Sequence, residues 1–321
     1  MELPLDIKLI AEEKISKYDF NVVKENALKL ANNYISESGQ GKSLISDELS
    51  AWIYVVTRMS STFSAISDVL KYVKEYFNKD IRSVLDVGSG TGASSWAAYY
   101  SFFLEEINCL EKDKNMILVG QELMKSDKEI NQITNWKEFD ITKDEIDISS
   151  DLVIASYVFN EMEPNTRKTA IKKMWDATKE IMVIVEPGTF IGSDIIKEIR
   201  EYIILLGGYI IAPCPHMDKC PLKDDDWCHF SIRSQRSRLE KILKGGEAPY
   251  EDEKYSFVAF SKNKCDYTKA RVTRHPLINK SMVSLRLCTK EGIKNIDVRK
   301  NEKEKYKIAR KLKAGDSFDY E

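Results

Sequence analysis

Apolar residues recur along this chain with two different periods, and the period changes near residue 81. Within the first 80 residues, apolar positions three and four residues apart occur over Asn21 to Ser36 and over Ile45 to Phe77, the spacing of amphipathic helices. The segment SESGQGKS between them predicts a turn. The second stretch is long enough for two helices. Arg58 and the hydroxyl residues after it interrupt its apolar face, which favours a helix junction; a face turned toward a ligand or RNA is the alternative.

From residue 81 onward, short β-branched runs alternate with helical patterns, which is typical of parallel strands joined by helices. In chain order the runs are IRSVLDV, INCLEKD, KEFDIT, DLVIASYVFNEM, EIMVIVE, GGYIIAPC and KYSFVAFSK. We therefore expect an α/β protein with a doubly wound, Rossmann-like sheet. The predicted divisions are a helical region over 1–80, the sheet domain over 81–262 with a cysteine-rich insertion at 212–254, and a C-terminal extension over 263–321.

The first strand continues into a glycine-rich turn, VGSGTG. Glycines at 88, 90 and 92 remove side chains where the backbone must turn sharply near a ligand, and the following helix offers unpaired N–H groups. Glu111, about 20 positions beyond the turn at the end of the next strand, is placed to hold ribose hydroxyls. An NAD site shares both features, so they predict a nucleotide site without identifying the nucleotide.

These segments resemble the nucleotide-binding half of class I S-adenosylmethionine-dependent methyltransferases. A third acidic position, in KEFDIT, and the form of the glycine turn favour S-adenosylmethionine over NAD. The resemblance implies a set of cofactor-binding residues: Asp86, Gly88, Ser89 and Gly90 at the methionine part, Glu111 at the ribose, Asp140 at the adenine amino group, and Ser156 at the end of the fourth strand.

The fourth strand ends in a polar group where this family places residues that face the reactive methyl group. Tyr157, Asn160 and Glu161 stand there. An Asn side chain can hold a substrate amine and Glu can accept a proton, so Asn160 and Glu161 are the candidate catalytic residues. The alternative is that both cap the helix that starts near Pro164.

Three cysteines lie close together in a segment whose apolar content is too low and irregular for a core element. Cys214, Cys220 and Cys228 stand among prolines and polar residues. A metal held by thiolates would give such a loop a rigid centre. The first residues show no signal-peptide pattern, which predicts a cytoplasmic protein, and clustered cysteines in a reducing compartment favour metal binding over disulfides.

Three thiolates leave a tetrahedral or cubane site one ligand short. The candidates for the fourth ligand are His216, His229, Cys265 and Cys288. Zinc accepts histidine, whereas an iron–sulfur cluster usually takes thiolates only. From the residues alone, both metals remain open.

The cysteine segment is similar to a methyltransferase-like family linked to the mitochondrial small ribosomal subunit, which also has bacterial and archaeal members. The similar segments include APCPH, DWCHFSIRSQRSRLEKILKGG, YEDEKYSFVAFSK and KIARKLKAGDSF, and the resemblance covers about residues 45 to 318. It implies action in assembly or translation on the small ribosomal subunit. It also implies a [4Fe–4S] cluster, with zinc as the alternative, on four ligands: Cys214, Cys220, Cys228 and Cys288. Cys109 is then a buried core thiol, and Cys265 is a thiol that does not bind the metal.

Charge is distributed unevenly along the chain. Residues 262–321 contain 17 Lys or Arg and 8 Asp or Glu, a net +9, although the whole chain carries −2. Such a tail suggests a polyanion, here rRNA bound through its backbone and shape, because few aromatic residues interleave the charges. A solvated basic helix is the alternative. The basic residues singled out are Arg233, Arg236, Arg238, Lys241 and Lys244, expected on one helix, and Arg299, Lys300, Lys303, Lys305, Lys307, Arg310, Lys311 and Lys313.

The expected function is therefore an S-adenosylmethionine-binding, iron–sulfur-containing, methyltransferase-like protein of the small ribosomal subunit. The family often has Gly-Pro-Gly in the cofactor turn where this chain has Gly90-Thr91-Gly92, a form closer to active methyltransferases. Two alternatives stand beside it: an active rRNA methyltransferase that modifies a base nitrogen, and a non-enzymatic RNA-binding assembly factor with a zinc site. No membrane span is expected, and the chain is expected to be a monomer away from the ribosome.

Overall fold

The computed structural model describes residues 1–36, 45–223, 225–266 and 268–320. Helices form the whole described part of the N-terminal region. Apart from its first serine, the turn predicted at SESGQGKS lies outside the described residues. The N-terminal elements are α1 (Leu5–Ile15), α2 (Phe20–Ser36), α3 (Glu48–Tyr54), a π-helical turn (Val55–Met59) and α4 (Ser60–Tyr76).

The junction predicted near Arg58 is this π-helical turn. Helix α3 begins with a capping box, in which the Asp47 side chain accepts from the backbone N–H of Ser50 at 2.8 Å. Helix α4 continues directly from the turn, and its buried face packs on the sheet. A π-helical turn contains one residue more than the same stretch of α-helix, and such turns are frequent at functional sites. Here it carries Arg58.

An eight-stranded sheet forms the centre of the molecule. Its strands are β1 (Ser83–Val87), β2 (Glu106–Glu111), β3 (Thr134–Glu138), β4 (Ser150–Ser156), β5 (Thr178–Pro187), β6 (Tyr209–Ala212), β7 (Phe230–Gln235) and β8 (Tyr250–Ser261). The order is β3-β2-β1-β4-β5-β8-β6, with β7 paired to the outer part of β8. Strands β1 to β5 are parallel, whereas β8 runs antiparallel between β5 and β6. This is the doubly wound, Rossmann-like sheet expected of the class I methyltransferase fold.

Helices cover both faces of the sheet. They are α5 (Ala93–Ser101), α6 (Lys114–Met124), α7 (Lys128–Ile133), α8 (Pro164–Ala177) and α9 (Phe190–Leu205). The strands at the centre are apolar on both faces, as parallel strands between two helical layers must be. In β1, for example, Val84 packs into the core that includes α4 and α5, and Leu85 packs into the core that includes α8 and α9.

The cysteine segment leaves the sheet after β6 and returns at β7, so it lies at one edge of the sheet as an insertion between β6 and β8.

The prediction that the basic residues after the third cysteine lie on one helix is wrong. The basic residues after the third cysteine do not share a helix: Arg233 lies on strand β7 and Arg236 follows that strand, while helix α10 begins only at residue 238 (Arg238–Lys244). The run FSIRSQ alternates in burial, the period of a half-buried strand, and pairs with β8.

The C-terminal region adds a second, smaller sheet with its own core. It contains β9 (Ala270–Val272), β10 (Leu277–Ile278), β11 (Met282–Thr289), β12 (Gly292–Arg299), a 3-10 turn (Lys300–Glu302) and α11 (Lys303–Ala309). Val272, Leu285, Leu287 and Tyr306 are among the buried residues of this core. Cys288 lies on β11.

Two buried arginines hold the irregular backbone of the cysteine segment. Arg200 on α9, 3% exposed, donates to the backbone oxygens of His216 and Asp218. Arg271 on β9, 2% exposed, donates to the oxygens of Pro213 and Gly315, each at 2.8 Å. Hydrogen bonds thus tie this segment to both the main sheet domain and the C-terminal module.

Two further arginines meet at the Asp226 carboxylate. Arg274 donates to Asp226 and to the backbone oxygen of Trp227, and Arg286 on β11 pairs with the same carboxylate. The two guanidinium groups lower the pKa of Asp226 against the opposing effect of burial. The C-terminal module is therefore fastened to the chain just before Cys228.

Candidate functional site

A cavity of about 780 Å³ opens at the carboxyl ends of the parallel strands, where this class of sheet binds ligands. Its wall contains seven of the nine residues that the sequence predicts for the cofactor and for catalysis. Two, Asp86 at the end of β1 and Ser89 within the glycine turn, are buried and do not line the cavity. The seven on the wall are Gly88, Gly90, Glu111, Asp140, Ser156, Asn160 and Glu161.

The glycine turn forms the floor of the cavity. Gly90 has φ +54°, in the left-handed region that side chains disfavour, and a Cβ added there would come no nearer than 3.7 Å to another group, the Met116 methyl. At Gly88 a Cβ would lie 2.5 Å from a Val158 methyl group. The first glycine is therefore needed for close packing, and the second leaves backbone open to a ligand.

Glu111 ends β2 and faces this floor. Its two carboxylate oxygens accept from the backbone N–H groups of Gly90 at 2.8 Å and Asp113 at 2.9 Å. These bonds fix the orientation of the carboxylate and leave each oxygen a lone pair for the hydroxyls of a ribose. Burial raises its pKa.

Asp86 supports the turn from below. One of its oxygens accepts from the backbone N–H and the hydroxyl of Ser95, at 3.0 and 2.7 Å, and the other, Oδ1, is buried without a hydrogen-bond partner in the structure. Burial raises the pKa of Asp86 to about 7. The structure therefore places a buried carboxyl oxygen that lacks a hydrogen-bond partner directly behind the cavity floor.

Asp140 lies at the other end of the floor. Its carboxylate accepts from the backbone and hydroxyl of Thr142 and pairs with Lys143 at 2.9 Å. Although burial acts in the opposite direction, these partners lower the pKa of Asp140 to about 2. Asp140 is thus a fixed anion on the cavity wall.

The loop after β4 is held by a buried carboxyl that the sequence prediction missed. Glu186, at the end of β5, accepts from the backbone N–H groups of Phe159 at 2.8 Å and Asn160 at 3.0 Å. Burial raises its pKa to about 8 in spite of these two bonds. The available signal was an acidic residue directly after a fully apolar strand, in IMVIVEP.

Asn160 and Glu161 do not cap helix α8. Glu163 occupies the N-cap position, and no side chain there caps the helix. Both candidate residues instead line the cavity. Burial raises the pKa of Glu161 to about 7; the Glu111 carboxylate adds to this effect and Lys112 opposes it.

The opposite wall comes from the N-terminal helices, and the prediction missed most of it. Tyr34 on α2 and Tyr54 on α3 have ring centroids 6.2 Å apart. Arg58 on the π-helical turn lies 3.8 Å from the Glu253 carboxylate, which also accepts from the Tyr157 hydroxyl at 2.8 Å. Tyr157 has φ +60°, an uncommon backbone conformation for a side chain of its size.

Four of the six cysteines lie in one region. Burial and the neighbouring Cys214 and Cys220 thiols raise the pKa of Cys228 to about 12. Burial together with Cys214, Cys228 and Cys220 raises the pKa of Cys288. All six cysteines are free thiols. Cys265 lies apart from this region and donates to the backbone oxygen of Asn263.

The four thiols are neighbours of one another. Over residues 1–36, 45–223, 225–266 and 268–320, no three His, Cys, Asp or Glu side chains form a group that could hold a metal ion. His216 Nε2 lies 3.8 Å from Cys288 Sγ. Cys109 is buried in the sheet core, within 3.2 Å of the Ser95 hydroxyl.

The two predicted basic groups differ in how far their charges are neutralised. Near β7 and α10, Arg233 pairs with Asp252, and Arg236 and Lys244 both pair with Glu251. In the C-terminal module, seven of the eight predicted basic residues are exposed, and Lys307 among them pairs with Glu304. Within the part of the chain that the structure describes, no helix has the length and apolar character needed to cross a bilayer.

Asp86 makes the stability of the protein without cofactor depend on pH. Its folded pKa of about 7 exceeds the ordinary 3.8, so the folded state binds this proton more tightly than the unfolded state. The resulting stability is fully present below the unfolded pKa of 3.8, is lost progressively as the pH rises to about 7, and amounts to about 4 kcal/mol from the pKa difference. Asp86→Asn keeps an acceptor for Ser95 and carries no charge.

We expect the melting temperature to fall less in Asp86→Asn than in the wild type between about pH 4 and about pH 7, the range between the unfolded and folded pKa values. Glu161 and Glu186 have shifts of the same sign, so part of the decline remains. Exposed Asp80→Asn is the matched control and should decline as the wild type does. An equal decline in Asp86→Asn would contradict this account.

Three comparisons relate the chain to known proteins. Human "Ribosome assembly protein METTL17, mitochondrial" is 23% identical over 287 residues, which cover 82% of this chain and 61% of the relative. The chain thus spans less than two thirds of that relative.

Two solved structures are also similar to the chain. Magnesium protoporphyrin IX methyltransferase (ChlM) from Synechocystis, with bound SAH, has a TM-score of 0.42 at 12% identity, over 63% of this chain and 84% of the other. TehB from Haemophilus influenzae has a TM-score of 0.40 at 14% identity, over 62% of each chain.

The family comparison covers most of the chain. The model described as "Mitochondrial small ribosomal subunit Rsm22" matches residues 48–319. This match includes the glycine turn, the cysteine segment and the C-terminal module, and it confirms the family resemblance predicted from the sequence. The chain belongs to the Rsm22 family.

Proposed function

We propose that this chain binds S-adenosylmethionine in the cavity at the strand ends and acts on the small ribosomal subunit in its assembly or in translation. The main support for cofactor binding is the floor of the cavity. There the backbone at Gly90 is open to a ligand, and the oriented Glu111 carboxylate lies directly beside it. In this proposal the cofactor supplies an activated methyl group. The protein supplies the orientation of that group.

The residues present fit this cofactor in three respects. Glu111 has lone pairs available for the ribose hydroxyls, and Asp140 is an ionised acceptor for the adenine amino group. Asp86, with its unpartnered oxygen under the turn, favours positive charge such as an amino-acid ammonium group on the methionine side. Ser156, whose hydroxyl lies 2.7 Å from that of Ser94, completes the wall beside the strand end.

Glu111→Ala should weaken S-adenosylmethionine binding at least tenfold, because a hydrogen bond to a charged group contributes about 1.5–3 kcal/mol. Isothermal titration calorimetry measures the affinity. Glu106→Ala, at the exposed start of the same strand, is the matched control and should bind as the wild type does. A wild-type protein that binds no S-adenosylmethionine would instead support the RNA-binding assembly factor without an occupied pocket.

We further propose that Cys214, Cys220, Cys228 and Cys288 hold a [4Fe–4S] cluster. The support is the donor set, four free thiols that face one region. An iron–sulfur cluster usually takes thiolates only, and all four proposed ligands are cysteines. Zinc is the alternative.

Cys288→Ser should lose most of the bound iron and sulfide after anaerobic purification and should melt at a lower temperature, because metal-binding free energy adds to folding free energy. Cys265→Ser is the matched control, since Cys265 lies apart from the four thiols, and should keep both. Iron retained in Cys288→Ser would exclude Cys288 as a ligand. Zinc in place of iron and sulfide in the wild type would identify the alternative metal.

The proposed partner is the rRNA of the small subunit. METTL17 is described as a ribosome assembly protein, and this chain presents seven exposed basic residues on its C-terminal module. Phosphate contacts by such residues give binding that weakens steeply with salt. The cytoplasmic location expected from the sequence also stays a prediction. The human relative, by contrast, is named as a mitochondrial protein.

An active methyltransferase is the second candidate, because Asn160 and a Glu161 carboxyl with a pKa of about 7 stand on the cavity wall. One experiment with purified small subunits and labelled S-adenosylmethionine tests partner and activity together. A triple Lys300→Ala, Lys303→Ala, Lys311→Ala variant should bind more weakly, with a salt dependence reduced by about three phosphate contacts. Asn160→Ala should bind normally and transfer no methyl group.

The outcomes separate the two proposals. Binding without methyl transfer in the wild type supports an assembly factor with a retained cofactor site. Unchanged binding by the triple variant would remove the C-terminal module from the interface. Arg233→Ala is the control, because Asp252 already neutralises that arginine.

A further inference from the structure

The cavity extends well beyond the groups that face the cofactor. The glycine turn, Glu111 and Asp140 lie at or after the ends of β1, β2 and β3, whereas Arg58 pairs with Glu253 on β8, on the other side of β4 and β5 in the sheet order. Tyr34 and Tyr54 also line the cavity, and the Arg58 charge acts on both of their phenols. The strand end with Ser156 and Glu161 stands between the two ends. A cofactor whose ribose is held by Glu111 therefore leaves the far end of the cavity for a second molecule.

The far end is aromatic and carries hydrogen-bonding groups. The rings of Tyr34 and Tyr54 meet at 35° with their centroids 6.2 Å apart, and both side chains are only partly buried because they face the cavity. Glu161 and, more weakly, Glu111 add to the burial that raises the pKa of each tyrosine, so both carboxylates lie on the cavity side of the two phenols. A flat ligand between these groups would have ring faces on one side and a carboxyl on the other.

Charge at the far end is balanced. Arg58 faces Glu253, and Lys244, which also lines the cavity, pairs with Glu251 and Glu240. A phosphate there would have to compete with carboxylates that already hold both cations. An uncharged planar group meets no such competition, and stacking on aromatic side chains is how proteins hold single bases.

We propose that the end of the cavity walled by Tyr34, Tyr54 and Arg58 is an acceptor chamber that takes one uncharged nucleobase, stacked on the tyrosines with its polar edge toward Glu161. This rests on the proposed function, because it assumes that the cofactor occupies the other end. Tyr34 and Tyr54 bind the base, and Arg58 positions Tyr157 through the Glu253 carboxylate they share. The base comes from a nucleotide of RNA or from a free nucleotide.

The test uses the full chain saturated with S-adenosylhomocysteine and oligonucleotides made of abasic spacers, with one central A, C, G or U or with none. The spacer without a base measures the contribution of the backbone alone. We expect at least one base to raise affinity about tenfold over that reference, the usual gain from stacking a base on an aromatic side chain. Tyr34→Leu and Tyr54→Ala should abolish the gain, while Tyr54→Phe keeps it.

Controls distinguish failure of the chamber from failure of the proposed function. Exposed Tyr18→Ala should keep the gain, and S-adenosylhomocysteine affinity, measured separately, should stay within about twofold in Tyr34→Leu, since in this proposal Tyr34 binds the base and not the cofactor. Tyrosine-dependent binding of a free nucleoside monophosphate supports the chamber with a soluble acceptor. Tyrosine-dependent binding only within an oligonucleotide supports it with an RNA base. No gain from any base, or a gain that survives both tyrosine variants, overturns the inference.

Discussion

Hydrogen bonds from buried guanidinium groups to backbone oxygens hold the least regular part of this molecule. The segment between β6 and β7 has little regular structure to pair its own carbonyls, and Arg200 and Arg271 supply the donors instead. Such bonds to a charged donor contribute about 1.5–3 kcal/mol each, and loss of their acceptors would leave a buried charge without a partner. The segment therefore has a defined path before any metal is considered. A cluster would add to that path; it is not its sole support.

Side-chain hydrogen bonds from arginines also join the C-terminal module to the sheet domain. Arg271 reaches from β9 to Pro213, immediately before Cys214, and Asp226 receives Arg286 from the strand that carries Cys288. Cysteines far apart in sequence are thus brought toward one another by contacts that involve none of their sulfurs. The loop after β4 follows the same principle: a buried carboxyl, Glu186, fixes the backbone of residues that face the cavity.

The sequence predicted the sheet because its strands are apolar on both faces and are bounded by turns, a pattern with few alternatives. It also predicted most of the cavity floor, because the glycine turn and Glu111 belong to neighbouring parallel strands whose ends must meet. It did not predict Tyr34, Tyr54 or Glu253. These residues belong to elements distant in the chain, and nothing local distinguishes a tyrosine on a cavity wall from one in a core. The sequence predicts a helix at Arg233 because positive charges at mixed spacing carry little periodic information. The strand that Arg233 occupies is determined instead by pairing with β8.

The position of β8 has a consequence for synthesis of the protein. Strands β5 and β6 flank β8, so neither can complete its pairing on that side until residues 250–261 have left the ribosome. A growing chain that stops short of this point presents two open strand edges and the apolar faces beside them, the surfaces that invite aggregation. Vectorial folding can proceed through β5 but must then wait for the cysteine segment to emerge. For this topology, translation speed between residues 187 and 261 is a determinant of yield.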